Sequence, residues 1–497
     1  MERLYIGGDY VDSSATSVIE VENPATEEVL AEVPDASSED LDRAIGAAQR
    51  AQRQWRTLDG LTRADMMHEC ARALRNHQED LAVLLTREGG KTLKENRDEI
   101  EWSATAFQHL GEVARASTGR VVGPTKPGQM NVVLHEPLGV VAHIFPFNYP
   151  IVLLAWQAAA ALATGNACVI KPSEQTPLAT LKLGEVFSHL PPGVFNVITA
   201  GGTGSARLVE HPGTDMIAFT GSVAVGSKIM AAAAPRIKKL LLELGGNDPF
   251  IVFGDAKLGV AAKGAVFAAF LNAGQVCTSA ERFYIDQSIY DEFMSEAVDF
   301  TKTLRIGDPM TDVDIGALVS REARDKVGQI VEELVSGGAE VAYGGGTPDG
   351  LERGYFHEPT LIELTEPRRH QLGRESFGPL ATFTPVRDIN HAIELANDSE
   401  YGLGANVYTS SFETAMRAAT ELQAGTVWIN DPLKDNDAAP FGGFKMSGLG
   451  RELGSEGLGA FTQAKHVHMD FAQSPSPEWW FPYEASSVAA GQLDSVA

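Results

Sequence analysis

Cysteine is scarce: three residues in a chain of 497, Cys70, Cys168 and Cys277, odd in number and far apart. That excludes a disulfide framework and a thiolate metal cluster, so no metal site is expected and a reducing, cytoplasmic setting is. Basic residues are also short, 40 against 66 acidic ones, for a formal net charge of −26. Nucleic acids and anionic membranes both select a basic footprint, so neither is expected as a partner. The excess acid itself describes a soluble, self-repelling surface and carries no chemistry. Long apolar runs are missing too. The longest, "PIVLLAWQAAAALA" from Pro150, is too short to cross a bilayer and predicts a buried helix. The opening "MERLYIGGDY" has no basic segment leading into an apolar run, so no secretory signal is expected. Repeats and low-complexity segments are absent as well.

What is present fits a soluble globular protein of two or three domains, with 44% hydrophobic residues. Short β-branched runs alternate with helical patterns over most of the length, which predicts an α/β protein with parallel sheets. In "SSEDLDRAIGAAQRAQRQW", serines and acids precede Leu41, Ile45, Ala48, Ala51 and Trp55 at helical spacing. "GVVAHI" and "NACVIKP" read as buried strands on either side of the Pro150 helix. "DMIAFTGSVAVGSKIMAAAAP" reads as strand, tight turn and a helix stopped by Pro235. "KKLLLELGG" is a strand ended by paired glycines, and after residue 250 the alternation resumes to about residue 446. The end, "SPSPEWWFPYEASSVAAGQLDSVA", changes to prolines, clustered aromatics and small polar residues, the composition of a frayed terminus.

Five segments are candidates for chemistry. Cys70 in "MMHECARAL" and Cys168 in an apolar strand fit the commoner case of a buried, inert thiol. Cys277 does not: in "NAGQVCTSAERF" its neighbours are small or polar, and a Gly-Gln-Val-Cys turn leading into a helix would supply backbone amides to a thiolate. Glu243 lies in "LLLELGG", where Leu240, Leu242 and Leu244 share one strand face and leave the carboxylate on the other. It is either an ordinary charge at a strand end or a general base with a raised pKa. Asn148 in "FPFNYP" is either a turn residue or, just ahead of a helix begun by Pro150, a fixed amide donor of the kind an oxyanion hole requires. "FTGSVAVG", with Gly221 and Gly226 at a strand-to-helix turn, suits a phosphate at a helix N-terminus, although it lacks G-x-G-x-x-G. "KPSEQTP" adds Lys171 and Glu174 at the C-terminal end of a strand, where open α/β sheets bind ligands.

Taken in order, "FPFNYP", "KPSEQTP", "FTGS", "LELGGNDP", "GQVCTSAERF", "ESFGP" and "PFGGFKMSGLGRELG" resemble the motifs of the aldehyde dehydrogenase superfamily, over essentially the whole chain. The separation of 34 positions between Glu243 and Cys277 is also the family's. The resemblance implies a Rossmann-like cofactor domain over 1–118 and 138–245 and an α/β catalytic domain over 246–446. A β oligomerisation arm and C-terminal tail, 119–137 and 460–497, complete it, with a homodimer or homotetramer expected. It implies Cys277 as the nucleophile, Asn148 with the Cys277 N–H as the oxyanion hole, and Glu243 as the base that activates the hydrolytic water. For the cofactor it implies Ile144, Phe145, Pro146, Lys171, Ser173, Glu174, Gly201, Phe219, Gly221, Ser222, Leu244, Gly245, Glu375 and Phe377. Glu174 favours NAD over NADP, since a carboxylate at the ribose repels a 2′-phosphate. Glu243 favours hydrolysis over acyl transfer to coenzyme A, because acylating relatives typically lack this base. Two departures from the family pattern, Phe147 where Trp is commonest and "GGND" in place of "GGK", leave the implied chemistry intact.

For the substrate the resemblance points to Trp102, Leu153, Trp156, Val276, Thr278 and Phe441. Aromatic walls suit aliphatic, aromatic or quaternary-ammonium aldehydes. The loop "NDPLKDNDAAPFGG" carries Asp431, Asp435 and Asp437, which either favour a cationic aldehyde, such as betaine aldehyde or an ω-aminoaldehyde, or form a solvated acidic loop. A non-catalytic homologue would lack the nucleophile or the base, and both are present; an esterase would use the same thiol without a cofactor.

Overall fold

The computed structural model describes residues 2–116, 119–364, 373–473 and 480–481. It divides into two units: Met1–Ala116 with Pro137–Thr462, and Ser117–Glu136 with Gln463–Ala497. Of the aromatic tail, only Trp480 and Phe481 fall within the described residues.

The first unit holds two large sheets. One has eight strands in the order Gly448–Leu449, Lys239–Leu244, Met216–Gly221, Val140–Ile144, Ala167–Lys171, Phe195–Val197, Leu4–Ile6 and Asp9–Val11. Its five central strands are parallel. Numbered along the chain, those five lie in the order 3-2-1-4-5, so the direction of winding reverses between Val140–Ile144 and Met216–Gly221. A reversal of that kind leaves a crevice at the carboxyl ends of the strands. The second sheet has seven strands, ordered Glu340–Tyr343, Thr360–Glu363, Leu380–Val386, Ala280–Asp286, Asp248–Val252, Gly404–Tyr408 and Thr426–Ile429. All its pairings but the first are parallel.

Local chemistry accounts for the elements that matter to the site. The Ser38–Trp55 helix opens on a capping box in which Ser37 and Asp40 satisfy each other's backbone donors. Pro150 starts the Pro150–Ala163 helix, where a missing N–H costs nothing, and every residue of that helix is buried. It packs in the interior, as its unbroken apolar run predicts; among the described residues no helix is long and apolar enough to cross a membrane. The Val223–Ala233 helix gives way to a short 3₁₀ turn containing Pro235. In Lys239–Leu244, Leu240, Leu242 and Leu244 pack into one core while Leu241 joins another, so Glu243 sits on the face opposite its flanking leucines.

One local expectation is overturned. The turn carrying Cys277 does not lead into a helix: the Leu258–Phe270 helix precedes it and the Ala280–Asp286 strand follows. β-branched and aromatic residues after Ala280, ending in "FYI", favour the extended state.

The second unit contains a three-stranded sheet of Thr462–Asp470, Gln129–Pro137 and Arg120–Val122. Within it Asn131 Oδ1 lies 3.1 Å from His466 Nε2 and 2.7 Å from His468 Nδ1. Lys465 pairs with Glu136 at 2.5 Å.

Candidate active site

Cys277 stands between an irregular turn and a strand, and the turn explains how it is fixed. Asn272, Ala273 and Gly274 all have positive φ, 49°, 53° and 75°. Such a run is unfavourable for residues with a Cβ, so it persists only when its surroundings hold it. Here they do. The Asn272 N–H donates to Glu95 Oε1 at 2.8 Å, and Gln275 Nε2 donates to the Asn272 carbonyl at 3.1 Å. The Val319 N–H donates to Gln275 Oε1 at 2.9 Å. Gly274 packs so closely on the Gly378 carbonyl that a Cβ would collide with it.

The same framework places Asn148. Its Nδ2 donates to the Gln275 carbonyl at 3.0 Å, tying it to the segment that carries the thiol. Its own carbonyl accepts from Lys91 Nζ at 3.0 Å and from Asn272 Nδ2 at 3.3 Å. Lys91 is buried, pairs with Glu99, and sits 3.6 Å from the centre of the Tyr149 ring. Glu99 Oε1 in turn accepts from the Ile151 and Val152 N–H groups, 2.8 and 3.1 Å, and so caps the buried Pro150–Ala163 helix. A buried ion pair therefore positions both the asparagine and the helix behind it.

Glu243 is 2% exposed, and neither carboxylate oxygen has a hydrogen-bond partner among the described residues. Burial pushes its carboxyl well above the usual range and the Glu452 charge adds to this, while the Cys277 thiol pulls the other way. Gly246 holds the two segments together: a Cβ there would strike the Cys277 carbonyl oxygen. The thiol is half-buried, and its pKa is also pushed well up, by burial first and then by the charges of Glu243, Asp248, Asp435 and Glu375. An arrangement of thiol, amide donor and unpartnered carboxylate has the parts needed for nucleophilic attack on a carbonyl and activation of water.

The crevice at the winding reversal holds a cavity of about 590 Å³. Ile144, Phe145, Pro146, Lys171, Ser173, Glu174, Phe219 and Gly221 line it, all named from the sequence. Gly201 caps the Gly202–Glu210 helix at the cavity's rim, where Gly202 is the lining residue. Ser222 caps the Val223–Ala233 helix, accepting from the Val225 N–H at 3.4 Å. At Gly221 a Cβ would meet the Phe219 ring, so the turn is shaped for close approach of a ligand to backbone. Lys171 Nζ donates to Glu174 Oε1 at 3.1 Å. Leu244, Gly245, Glu375 and Phe377 are not in this lining. Glu375 Oε1 instead accepts from the Gly246 N–H at 3.1 Å, and its carboxyl lies where a Gly245 Cβ would be. Burial, then Glu281, push that carboxyl up to about 7.

Among the residues expected at the substrate, Leu153, Trp156 and Phe441 are buried in one cluster with Tyr149, and Val276 and Cys277 pack against it. The Trp156 and Phe441 rings lie 5.0 Å apart. Thr278 is buried, and Trp102 is 46% exposed on the Leu93–Ala116 helix.

The three loop aspartates separate. Asp431 lines a different cavity of about 610 Å³, beside Tyr408. Asp437 lies beside Thr105 and His109, while the Thr105 hydroxyl donates to the Trp102 carbonyl at 2.9 Å. Asp435 acts on Cys277 and Tyr149.

Sequence reasoning missed several carboxylates and an ammonium. Glu281 accepts from the Ser376 N–H at 2.9 Å, the Phe377 N–H at 3.0 Å and Asn247 Nδ2 at 2.6 Å, and so shapes the turn after Glu375. Glu452 Oε1 accepts from Gln157 Nε2 at 2.6 Å beside Glu243, and burial pushes its carboxyl up to about 8. Glu95, Glu99 and Lys91 likewise escaped notice, although "KTLKE" holds a Thr92–Glu95 capping box as a local sign. Among the described residues, no group of three or more His, Cys, Asp or Glu is placed to hold a metal ion.

Comparison with known proteins identifies the family. The profile of the "Aldehyde dehydrogenase family" matches residues 10–467. A betaine aldehyde dehydrogenase of Bacillus subtilis is 37% identical over 488 residues, 97% of this chain and 99% of the relative. An aminoaldehyde dehydrogenase of Arabidopsis thaliana is 37% identical over 485 residues, 95% of this chain and 97% of its own. The crystal structure of a betaine aldehyde dehydrogenase from Staphylococcus aureus in complex with NAD⁺ superposes with a TM-score of 0.93 at 35% identity, covering 97% of each chain. On sequence and fold alike, the chain belongs to the aldehyde dehydrogenase family.

Proposed function

We propose that the protein oxidises an aldehyde to the carboxylic acid with NAD, using Cys277 as nucleophile, Asn148 as oxyanion donor and Glu243 as base. The observation that carries this reading is the convergence of the three: Asn148 is bonded to the turn that bears Cys277, and Glu243 faces the thiol with both oxygens free of hydrogen bonds among the described residues. The Cys277 sulfur adds to the carbonyl carbon as a thiolate, and the oxygen becomes an oxyanion held by Asn148 Nδ2 and the Cys277 N–H. Among the described residues that N–H has no backbone acceptor, so it is available. Bound NAD⁺ supplies a cationic ring that accepts hydride from the carbon. What remains on Cys277 is a thioester. Glu243 takes a proton from water, the water oxygen adds to the thioester carbon, and the Cys277 thiolate leaves the acid product.

The cavity at the winding reversal fits a dinucleotide: it has a glycine turn at a helix N-terminus, and the Lys171–Glu174 pair at its rim. Glu174 favours NAD over NADP by charge. Glu375 is the candidate for the ribose nearest the thiol and Phe377 for the ring beside it, supported by the Phe147–Phe377 edge contact at 5.7 Å and the Glu375–Gly246 bond.

A cofactor domain, a catalytic domain and an arm is the division we favour, supported by the two separate sheets and the second unit. A cytoplasmic homodimer or homotetramer is the assembly we favour. Exposed Val121, Met130 and Leu134 on the three-stranded sheet, at 76%, 45% and 44%, support a partner subunit there.

The test is a panel of aldehydes assayed for NADH formation, with Cys277→Ser as control. NADH and free acid from the wild type, and a loss of at least about 10³-fold in the variant, are expected. Full activity of Cys277→Ser overturns the mechanism, and release of acid from an ester without NAD, with no NADH formed from any aldehyde, would favour an esterase.

A further inference from the structure

NAD and NADP differ only by a phosphate on the 2′ oxygen of the adenosine ribose, so what the cavity offers an anion there decides between them. Two groups at its rim could hold a phosphate. One is the Lys171 ammonium. The other is the N-terminus of the Gly202–Glu210 helix, whose Gly202, Ser205 and Ala206 are among the lining residues. Each is already engaged by a carboxylate of the chain. Lys171 Nζ donates to Glu174 Oε1 at 3.1 Å. The N–H of Gly201, which caps the helix, donates to Asp35 Oδ1 at 2.9 Å.

The two carboxylates flank one spot. A Cβ on Gly201 would lie 3.7 and 3.9 Å from the Asp35 oxygens and 4.0 Å from Glu174 Oε1. The acids therefore stand within about 8 Å of each other, inside the range over which a charge is felt at ordinary salt. Both charges bear on Lys171, opposing the downward pull of burial on its pKa. They differ in freedom. The Glu174 side chain is 40% exposed, and its one hydrogen bond among the described residues comes from Lys171, so a rotation takes it aside. Asp35 is pinned. Its N–H donates to the Ser17 carbonyl at 3.0 Å and the Ala36 N–H to the Thr199 carbonyl at 2.9 Å. Thr199 Oγ1 closes the link by donating to the Pro34 carbonyl at 2.6 Å.

We propose that Asp35 is a specificity-determining residue for the cofactor: it sets its own carboxylate at the helix terminus a 2′-phosphate would use, and fixes a preference for NAD that Glu174 alone leaves adjustable. A 2′-phosphate brings about two negative charges, and it meets Asp35 at one donor and Glu174 at the other. A 2′-hydroxyl brings no charge and needs only an acceptor, which Glu174 supplies. Neutralising Glu174 frees Lys171 but leaves Asp35 on the helix. Discrimination is therefore shared, and only the loss of both charges admits NADP freely. This deepens the reading of the cavity as the NAD site and rests on it.

The experiment titrates NADH and NADPH by nicotinamide fluorescence, with no aldehyde present, in the wild type, Asp35→Asn, Glu174→Gln and the double variant. Asparagine keeps an acceptor for the Gly201 N–H and removes the charge. The wild type is expected to bind NADH the more tightly. Each single change should narrow the ratio of the two dissociation constants about 10-fold, and the double change about 100-fold. A purely structural role for Asp35 would weaken both cofactors alike and leave the ratio where it was, which overturns the proposal. A Glu174→Gln variant that has already lost all discrimination overturns it too. The wild type gives a second reading without mutation. In about 1 M KCl, where charges are screened beyond about 3 Å, the ratio should shrink, and a ratio indifferent to salt refutes the electrostatic origin. A wild type that binds neither dinucleotide sinks the NAD reading of the cavity, and the proposal falls with it.

Discussion

Glu243→Gln keeps the shape of the side chain and removes the base, which makes it the sharpest probe of the site. Neither Glu243 oxygen is hydrogen-bonded among the described residues, so the substitution breaks no such bond of the fold. Loss of a general base costs about 10²- to 10⁴-fold in the step it serves, or about 3–5 kcal/mol of barrier. Because that step is thioester hydrolysis, the variant should still complete its first oxidation. Stopped-flow absorbance should show a burst of NADH equal to the enzyme, then slow turnover. Stability should move the other way. Burial raises the Glu243 carboxyl above its value in the unfolded chain, so its contribution is fully present below the unfolded pKa, about 4.3, and is lost as pH rises through the folded one. Glutamine does not titrate. Thermal melts at pH 5, 7 and 9 should therefore show the variant gaining on the wild type as pH rises. A variant with no burst, or one whose melting temperature falls further behind at pH 9 than at pH 5, refutes the reasoning.

Two other changes test the supports of the site. Asn148→Ala should lower kcat about 10²- to 10³-fold with little change in KM, measured at steady state on the preferred aldehyde; a change confined to KM would remove Asn148 from the oxyanion hole. Glu88 caps the Leu178–Val186 helix through the Leu178 and Ala179 N–H groups, 2.7 and 2.9 Å, and burial pushes its carboxyl up to about 8. Glu88→Gln keeps one acceptor and should lose about 1–3 kcal/mol of stability, a deficit that narrows in melts taken from pH 5 toward pH 8 as the wild type loses its own proton-linked contribution.

The parts legible in the sequence share a property: their signal is local. Glu243 on its leucine strand, Asn148 ahead of Pro150 and Cys277 in a polar turn each announce themselves within a few residues. The glycine turn at Gly221 and the Lys171–Glu174 pair do so as well, and the cavity collects them. What could not be read are partners far apart in the chain. Glu99 is 52 residues from the Ile151 amide it caps, and Glu281 is 95 from the Ser376 amide it holds. Neither has a periodicity or spacing that marks it, since a buried glutamate on a helix or strand looks like a surface charge. The helix expected after Cys277 failed for a related reason: a small polar turn can open a helix or a strand, and the aromatic run beyond Ala280 decided for the strand. The three loop aspartates looked equivalent in sequence because packing alone sets Asp437 beside Thr105 and His109 and Asp431 in the wall of a separate cavity.

The Leu93–Ala116 helix acts as a spacer bar. At one end Glu95 and Glu99 grip the nucleophile turn and the helix behind Asn148; a few residues on, Thr105 lies beside Asp437 in the loop before Phe441. Each residue adds about 100° of rotation and 1.5 Å of rise, so the bar fixes an angle as well as a length. Point changes near Trp102 or Thr105 can alter how that loop is seated while the inner grip holds. Inserting or deleting one residue between positions 99 and 105 would turn one end against the other and set the nucleophile turn and the loop before Phe441 out of phase. Homologues and engineered variants should therefore vary freely in side chain along this stretch, and hardly at all in its length.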